Sequence, residues 1–257
     1  MTYKLLETHC HLDYLKAKSL EDILDDSQKA GVEKFLTIGV EPDNFDAVFE
    51  LSQKYPKIYF TQGIHPHDAK LATEDAFQVI RKRSSESKML AVGEIGLDYY
   101  YDNSPREKQI EVFKEQLQIA IEVDKPVVIH TRDADEDTIE ILSEYAPKMK
   151  RKGVIHSFTA GAELAQLAID LGFYLGFNGI ITFKKAENVR DIVRLCPLEK
   201  ILLETDSPFL TPVPHRGKEN NPSYLPHILE KVAEIKNIAP REVEEQCYQN
   251  SIDLFRF

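Results

Sequence analysis

Seven side chains in this sequence have the right chemistry to work together on an ion: His9, His11, His65, Glu94, His130, His156 and Asp206. Imidazole nitrogens and carboxylate oxygens are the donor set for zinc, manganese and other divalent cations. His9 and His11 stand two residues apart in an apolar, β-branched setting. On a strand both rings point to the same face while Cys10 points to the other, into the core. Taken alone a His-x-His pair is a weak signal. Glu94 is more telling, because it sits inside the apolar run Val92-Gly93-Glu94-Ile95-Gly96 with no lysine or arginine on that stretch after Lys88. A carboxylate buried without a partner costs several kcal/mol, so it demands a cation or a dense set of hydrogen bonds.

The elements that would position these groups follow from the hydrophobic pattern. Short apolar runs predict strands over residues 4–11, 34–40, 58–65, 89–98, 126–131, 153–158, 174–179 and 201–207. Helical spacing predicts helices over 20–30, 45–54, 73–85, 106–122, 135–145, 162–171 and 188–195, with further helices over 223–235 and 240–257. In the stretch 106–122, for example, Ile110, Phe113, Leu117 and Ala120 mark one core-facing stripe. Eight strands alternating with helices imply a parallel sheet, and eight close a (β/α)8 TIM barrel as a single domain over residues 1–257. A doubly wound open sheet is the competing fold. Such sheets commonly carry a glycine-rich loop after the first strand, and here no glycine occurs before Gly31.

In a barrel the carboxyl ends of the strands converge on one mouth. All seven groups fall at or near predicted strand ends, so residues two hundred positions apart become neighbours. Six ligands over-fill one zinc site, which takes three protein groups when catalytic. The expected division gives one ion His9, His11, Asp206 and one oxygen of Glu94, and a second ion the other Glu94 oxygen, His130 and His156. A carboxylate bridging two ions is the arrangement of two-metal hydrolases, which lower the pKa of an attacking water. Asp206, with free lone pairs, is the candidate to accept a proton during attack.

The bulk composition bounds the partners. The chain of 257 residues has 42% hydrophobic and 29% charged residues, an ordinary soluble composition. Its net charge of −11 argues against extended tracking along DNA or RNA and favours a local grip on a nucleic-acid end. Three widely spaced cysteines, Cys10, Cys196 and Cys247, fit a reducing cytosol. Neither a signal peptide nor a run of apolar residues long enough for a membrane span is visible, so a cytoplasmic protein without membrane or obligate protein partner is expected.

Several ordered segments resemble the TatD family of metal-dependent hydrolases, kin to the amidohydrolase barrels. They are Thr8-His9-Cys10-His11-Leu12, Gly63-Ile64-His65-Pro66-His67, Gly93-Glu94-Ile95-Gly96-Leu97-Asp98-Tyr99, Pro126-Val127-Val128-Ile129-His130, His156-Ser157-Phe158 and Leu203-Glu204-Thr205-Asp206-Ser207-Pro208, followed by Arg216-Gly217-Lys218, Asn220 and Pro222. The resemblance spans residues 7–255. It implies metal ligands at His9, His11, Glu94, His130, His156 and Asp206, and 3′→5′ exonuclease or deoxyribonuclease activity on DNA that depends on divalent metal; the donor types leave Mg, Mn and Zn open for the two ions expected from the ligand count. Some relatives are similar to D-aminoacyl-tRNA deacylases, which cut an ester at a tRNA 3′ end with the same activated water. A binding module that holds metal without catalysis is the reading from another class. Two positions depart from the family pattern: Glu7 stands where Asp is more frequent, and Glu219 replaces a commonly basic residue, which would weaken phosphate contacts.

Secondary expectations complete the set. His65 either orients a phosphate or leaving group or serves the fold at its X-Pro turn. Arg132 and Arg216 are candidates for phosphate, suited by the guanidinium fork, with a solvated surface role as the alternative. Asp98 is expected to hold a ligand histidine in orientation. Tyr99, Tyr100 and Tyr101 are candidates to stack on bases, although loop packing suits at least two of them. Glu7 is expected behind the ligands, too deep to reach an ion.

Overall fold

The computed structural model describes residues 3–257. Eight strands form one parallel sheet in sequential order: β1 (Leu5–Cys10), β2 (Val32–Gly39), β3 (Ile58–Gln62), β4 (Met89–Asp98), β5 (Val127–Arg132), β6 (Gly153–Ile155), β7 (Tyr174–Phe177) and β8 (Ile201–Leu203). The seam between first and last strands is closed by a parallel bridge between Cys10 and Ser207 and by hydrogen bonds from Asp206 N to His9 O (2.9 Å) and His11 N to Ser207 O (2.7 Å). The expected (β/α)8 barrel is therefore the fold.

Around it lie α1 (Leu20–Lys29), α2 (Phe45–Lys54), α3 (Glu74–Arg83), α4 (Arg106–Glu122), α5 (Asp135–Tyr145), α6 (Ala162–Asp170), α7 (Glu187–Leu195), α8 (Leu225–Lys236) and α9 (Pro240–Phe255). Among the described residues no helix is long and apolar enough to cross a membrane. Helix starts follow local chemistry: Ser19 accepts from Asp22 N and Thr73 from Ala76 N, each satisfying an otherwise orphaned amide of the first turn. Acids in those first turns, Glu21 and Asp22, Glu74 and Asp75, suit the positive end of the helix dipole.

Two apolar layers hold the barrel. Most of the core lies between sheet and helices, for example Phe35, Phe60, Phe113, Ile129 and Leu117. A smaller cluster of Leu36, Ile38, Leu90, Val128, Val154 and Leu202 fills the inside, plugged by Leu254 and Phe255 at the end of α9 and by Phe257. Period-two alternation links that interior layer to the polar one: Val128 precedes His130, Val154 precedes His156, and Leu202 precedes Glu204 and Asp206 on the same inward face. The apolar floor thus ends two residues before the histidines begin.

Strand ends are shorter than predicted. β6 and β8 have three residues each, so His156 and Asp206 stand just beyond them, in loops. The reason is conformational: Ser157 and Asp206 take left-handed backbone angles (φ 46° and 56°), which no strand accommodates. β3 likewise stops at Gln62, and His65 caps the short 3-10 turn Pro66–Leu71 that its neighbouring proline initiates.

Candidate metal centre

The seven residues named from the sequence come together at the carboxyl mouth of the barrel. Glu94 is at their centre, 3% exposed. Its Oε2 lies 3.4 Å from His9 Nε2, and its Oε1 lies 2.7 Å from His156 Nε2, 3.1 Å from His130 Nδ1 and 3.3 Å from His65 Nε2. Asp206 Oδ1 is 3.6 Å from His9 Nε2 and 3.5 Å from His11 Nε2. The two carboxylate oxygens of Glu94 therefore face different nitrogens, Oε2 that of His9 and Oε1 those of His156, His130 and His65. The His9 and His156 rings stack with centroids 3.9 Å apart and an interplanar angle of 5°, which packs the two groups side by side.

The donors fit a divalent ion. His9 is fully buried, yet neither of its ring nitrogens has a hydrogen-bond partner, and His11 Nδ1 is likewise unpartnered. Burying such groups without partners is unfavourable by more than a kcal/mol each, so the cluster is poorly satisfied as a purely polar core. Separations of 3.4–3.6 Å around His9 Nε2 are too long for good hydrogen bonds. They match the spacing of ligands that each sit ~2.0–2.2 Å from a shared ion. Three sets of ligand atoms are close enough to hold one: His9, His11 and Asp206; His9, Glu94 and His156; and His65, Glu94 and His130.

His65 is distinguished from the other imidazoles by its tautomer. Its Nδ1 accepts the His67 amide (3.1 Å). A neutral imidazole has one lone pair, so Nε2 carries the proton and faces Glu94 as a donor. Burial, against the pull of Glu94, brings the His65 pKa down to about 4, which keeps the ring neutral.

The remaining electrostatics set the centre up as a dense array of charge. Burial pushes the Glu94 carboxyl up, but the His156 and His65 imidazoles and the hydrogen bonds from His130 and His156 outweigh it and hold it well below the usual range. Burial would lower His156, and the carboxylates of Glu94 and Glu204 reverse this and raise it well above its ordinary value. At Asp206 burial is again outweighed, by the His11 contact and the His9 and His156 rings, and the pKa falls.

Behind the ligand candidates stand three buried acids. Asp98 accepts from His130 Nε2 and His67 Nε2, both at 3.0 Å, and its other oxygen takes the Tyr100 and Tyr101 amides (3.0 and 2.9 Å). Those bonds to His130 and His67 overcome burial and hold its pKa well below the carboxylate norm. His130, bonded to Asp98 through Nε2, is thereby left with Nδ1 turned to Glu94, the orientation expected of a ligand imidazole. Glu7 accepts from His9 N (3.1 Å) and Thr205 N (3.0 Å), joining β1 to the segment after β8, and burial raises its pKa to about 8. Its position behind the ligands agrees with the expectation for it.

Glu204 was not singled out from the sequence. It is 1% exposed, accepts from Ser157 N (2.6 Å), and lies behind the His156 ring, 3.7 Å from its Nδ1 and beyond hydrogen-bond reach, unlike Asp98 behind His130. A β-carbon at position 176 would stand 2.4 Å from its Oε2, so Gly176 leaves the room it needs. The signal was available: an acid two residues before Asp206 on an apolar strand points to the same face.

The site opens into a cavity of about 740 Å³ lined by His11, His65, Glu94, His130, His156 and Asp206. Arg132 also lines it, its guanidinium stacked 3.8 Å over Tyr100 and 4.8 Å over Tyr101. Arg216 is not in the wall. It stands exposed on the rim, 3.9 Å over the Phe183 ring. Tyr99 packs instead, bonded to Asp137 and covered by Arg106, whereas Tyr100 and Tyr101 are exposed. Cys10 is fully buried on the outward face of β1, as expected. Glu219 turns away from any phosphate path and accepts the Lys16 and Ala17 amides (3.1 and 2.8 Å).

A buried cluster of imidazoles and carboxylates at the mouth of a (β/α)8 barrel defines the class: a barrel hydrolase that works with bound metal. The family model described as TatD related DNase matches residues 6–256. The uncharacterized metal-dependent hydrolase YabD of Bacillus subtilis is 38% identical over 98% of this chain and 99% of its own length. YcfH of Escherichia coli K12, described in the same words, is 39% identical over 98% and 95%. The crystal structure of YjjV, a TatD homologue from the same bacterium, superposes with a TM-score of 0.94 at 29% identity, covering 100% of both chains. The chain belongs to the TatD family and is a metal-dependent hydrolase.

Proposed function

We propose that this protein hydrolyses phosphodiester bonds at the end of a nucleic acid, as a divalent-metal-dependent deoxyribonuclease of 3′→5′ exonuclease type. The observation that carries the reading is the split of Glu94, whose Oε2 faces His9 while its Oε1 faces His130 and His156, beneath an open cavity. In this reading His9, His11, Asp206 and Glu94 would hold one ion, and Glu94, His130 and His156 would hold the second. Histidine-rich donors suit zinc or manganese, and phosphoryl chemistry also runs on magnesium. Two bound divalent ions supply a Lewis acid for the phosphoryl oxygen and lower the pKa of an attacking water.

The chain's own groups do the rest. Asp206, ionised and at the cavity wall, accepts the proton released by the attacking water. His65, neutral with its proton on Nε2, donates to a phosphate or leaving-group oxygen that enters beside Glu94. Arg132, pinned on two tyrosines, presents its free N–H groups to a phosphate, and Tyr101 gives a face for the terminal base. Asp98 holds His130 in orientation by a hydrogen bond of 3.0 Å, and the Glu204 charge lies behind His156. The three cysteines are free and buried, which suits the cytosol.

The test is a comparison of substrates on protein loaded with Mg²⁺, Mn²⁺ or Zn²⁺. Labelled single-stranded DNA is expected to shorten from its 3′ end, and His130→Ala to lose about 100-fold or more in rate. DNA left intact with all three metals, while the ester of a D-aminoacyl-tRNA is cleaved, would replace the nuclease by the deacylase. Unaltered turnover in His130→Ala would remove the assignment of the site.

A further inference from the structure

On one side the cavity continues onto a shelf made by two loops. The segment after β7 contributes Ile180, Phe183, Lys184 and Lys185, and the loop between β8 and α8 contributes Phe209, Val213, Arg216 and Lys218. The loops are tied together, Val213 N donating to Thr182 Oγ1 (2.9 Å) and the Arg216 guanidinium lying on Phe183 while it donates to Thr211 O (3.2 Å). Ile180 and Phe209 belong to the cavity wall, so the shelf is continuous with the site. Two large apolar side chains stand out from it, Phe209 at 52% and Val213 at 48% exposure.

The charge of the shelf is opposite to that of the molecule. Lys184, Lys185, Arg216 and Lys218 are exposed, and among the described residues none of them forms an ion pair. Elsewhere several basic side chains are matched, Lys18 with Asp26, Arg81 with Glu115 and Glu122, Arg241 with Glu244 and Glu245, while among the described residues others such as Lys82 and Lys150 stand singly; the shelf differs in gathering four such cations on two adjoining loops. Acids on the same loops are already engaged, Glu219 by the Lys16 and Ala17 amides and Glu187 by Arg190 and Arg194. The opposite rim differs. One arginine, Arg132, stands there with Tyr100 and Tyr101 beside three acids, Asp133, Asp135 and Asp137; hydrogen bonds from the Gly161 amide and the Tyr99 hydroxyl leave Asp135 and Asp137 charged, and this local excess of negative charge disfavours a phosphate backbone leaving in that direction.

Four cations without ion pairs on the two loops that also present an exposed aromatic ring, in a protein of net charge −11, are the elements of a platform for single-stranded nucleic acid: phosphates meet the cations and a base stacks on the ring. We propose that the strand whose end enters the cavity runs out over Phe209 and across Lys184, Lys185, Arg216 and Lys218. This deepens the phosphodiesterase reading and rests on it. A strand too short to reach beyond the cavity gains nothing from the shelf, whereas a longer one gains up to four phosphate contacts.

The experiment measures binding of phosphorothioate-linked oligothymidylates, which resist cleavage, to the metal-loaded protein by fluorescence anisotropy across a salt series. The decamer is expected to bind about tenfold or more tightly than the trimer. Replacing Lys184, Lys185 and Lys218 by glutamine (K184Q/K185Q/K218Q) should remove most of that advantage and flatten the log–log salt slope by about 2, at about 0.7 per phosphate contact on a single strand. A charge-matched variant on α2, α3 and α4, K54Q/K82Q/K108Q, should leave the decamer-to-trimer ratio as it is in the parent protein. Equal affinities for trimer and decamer, or equal losses in the two triple variants, overturn the shelf. The two readings fail differently. Cleavage of unmodified DNA with length-independent binding removes the shelf and keeps the nuclease. Length-dependent binding without cleavage of DNA keeps the shelf and removes the nuclease.

Discussion

Asp98 binds two imidazoles through one oxygen and two loop amides through the other, so a single buried carboxylate sets both the direction of His130 and the start of the aromatic rim. An imidazole held this way keeps its free nitrogen on the ion and gains basicity. Asp98→Asn preserves size and loses charge, and its single carbonyl oxygen can serve the two rings or the two loop amides but not both. The expected outcome is a metal affinity lower by about 10–100-fold, read by competition with a coloured chelator. The fold should persist, since a far-ultraviolet circular dichroism spectrum reports helices that this change does not touch. Affinity within twofold of the parent would show that His130 needs no such support.

At the scale of elements, the site depends on how closely β4 and β5 approach. Gly96 lies on β4 opposite His130 with φ at +137°, and a β-carbon there would stand 1.9 Å from the His130 carbonyl oxygen. Nothing on that side can yield except the β5 backbone itself, which carries a ligand candidate. Gly96→Ala should therefore cost roughly 3 kcal/mol in overpacking and strained backbone. Gly217 also has a positive φ, +85°, but open space where a β-carbon would go. Gly217→Ala should cost only about 1 kcal/mol, the conformational part alone. Urea unfolding of both variants checks the contrast, and equal midpoints would mean that contact at Gly96 is not the reason for its glycine.

For the whole molecule, the centre spans the seam of the barrel. His9 comes from the first strand and His11 from just past its end, Asp206 from the segment after the eighth, Glu94 and His130 from β4 and β5, and His156 from the loop after β6. An ion bound here ties the two ends of the sheet and binds the native state alone. At a free concentration a hundredfold above its dissociation constant it adds about 2.7 kcal/mol of stability. In a chain of this length that raises Tm by about 5–10 °C. Differential scanning calorimetry before and after chelation checks this, and a Tm indifferent to metal would mean that the ligands are not gathered as one centre in the folded protein.

The residue types and their order carried a great deal by themselves. Alternation of apolar runs with helical stripes determines eight strand–helix units, because periods of 2 and 3.6 are local consequences of backbone geometry. Carboxylates and imidazoles in otherwise apolar strands picked out the residues that the fold brings together at the mouth, since burial of such groups demands a partner. Tertiary structure alone decided what lies beside what. The left-handed backbone at Asp206 moved it off β8 into the mouth, and the His67 amide on Nδ1 made His65 a donor. Packing placed Glu204 behind His156 and turned Glu219 onto the Lys16 and Ala17 amides, and it left Arg216 on the rim outside the cavity. These are relations between segments far apart in the chain, set by distances of a few ångströms that no local pattern encodes.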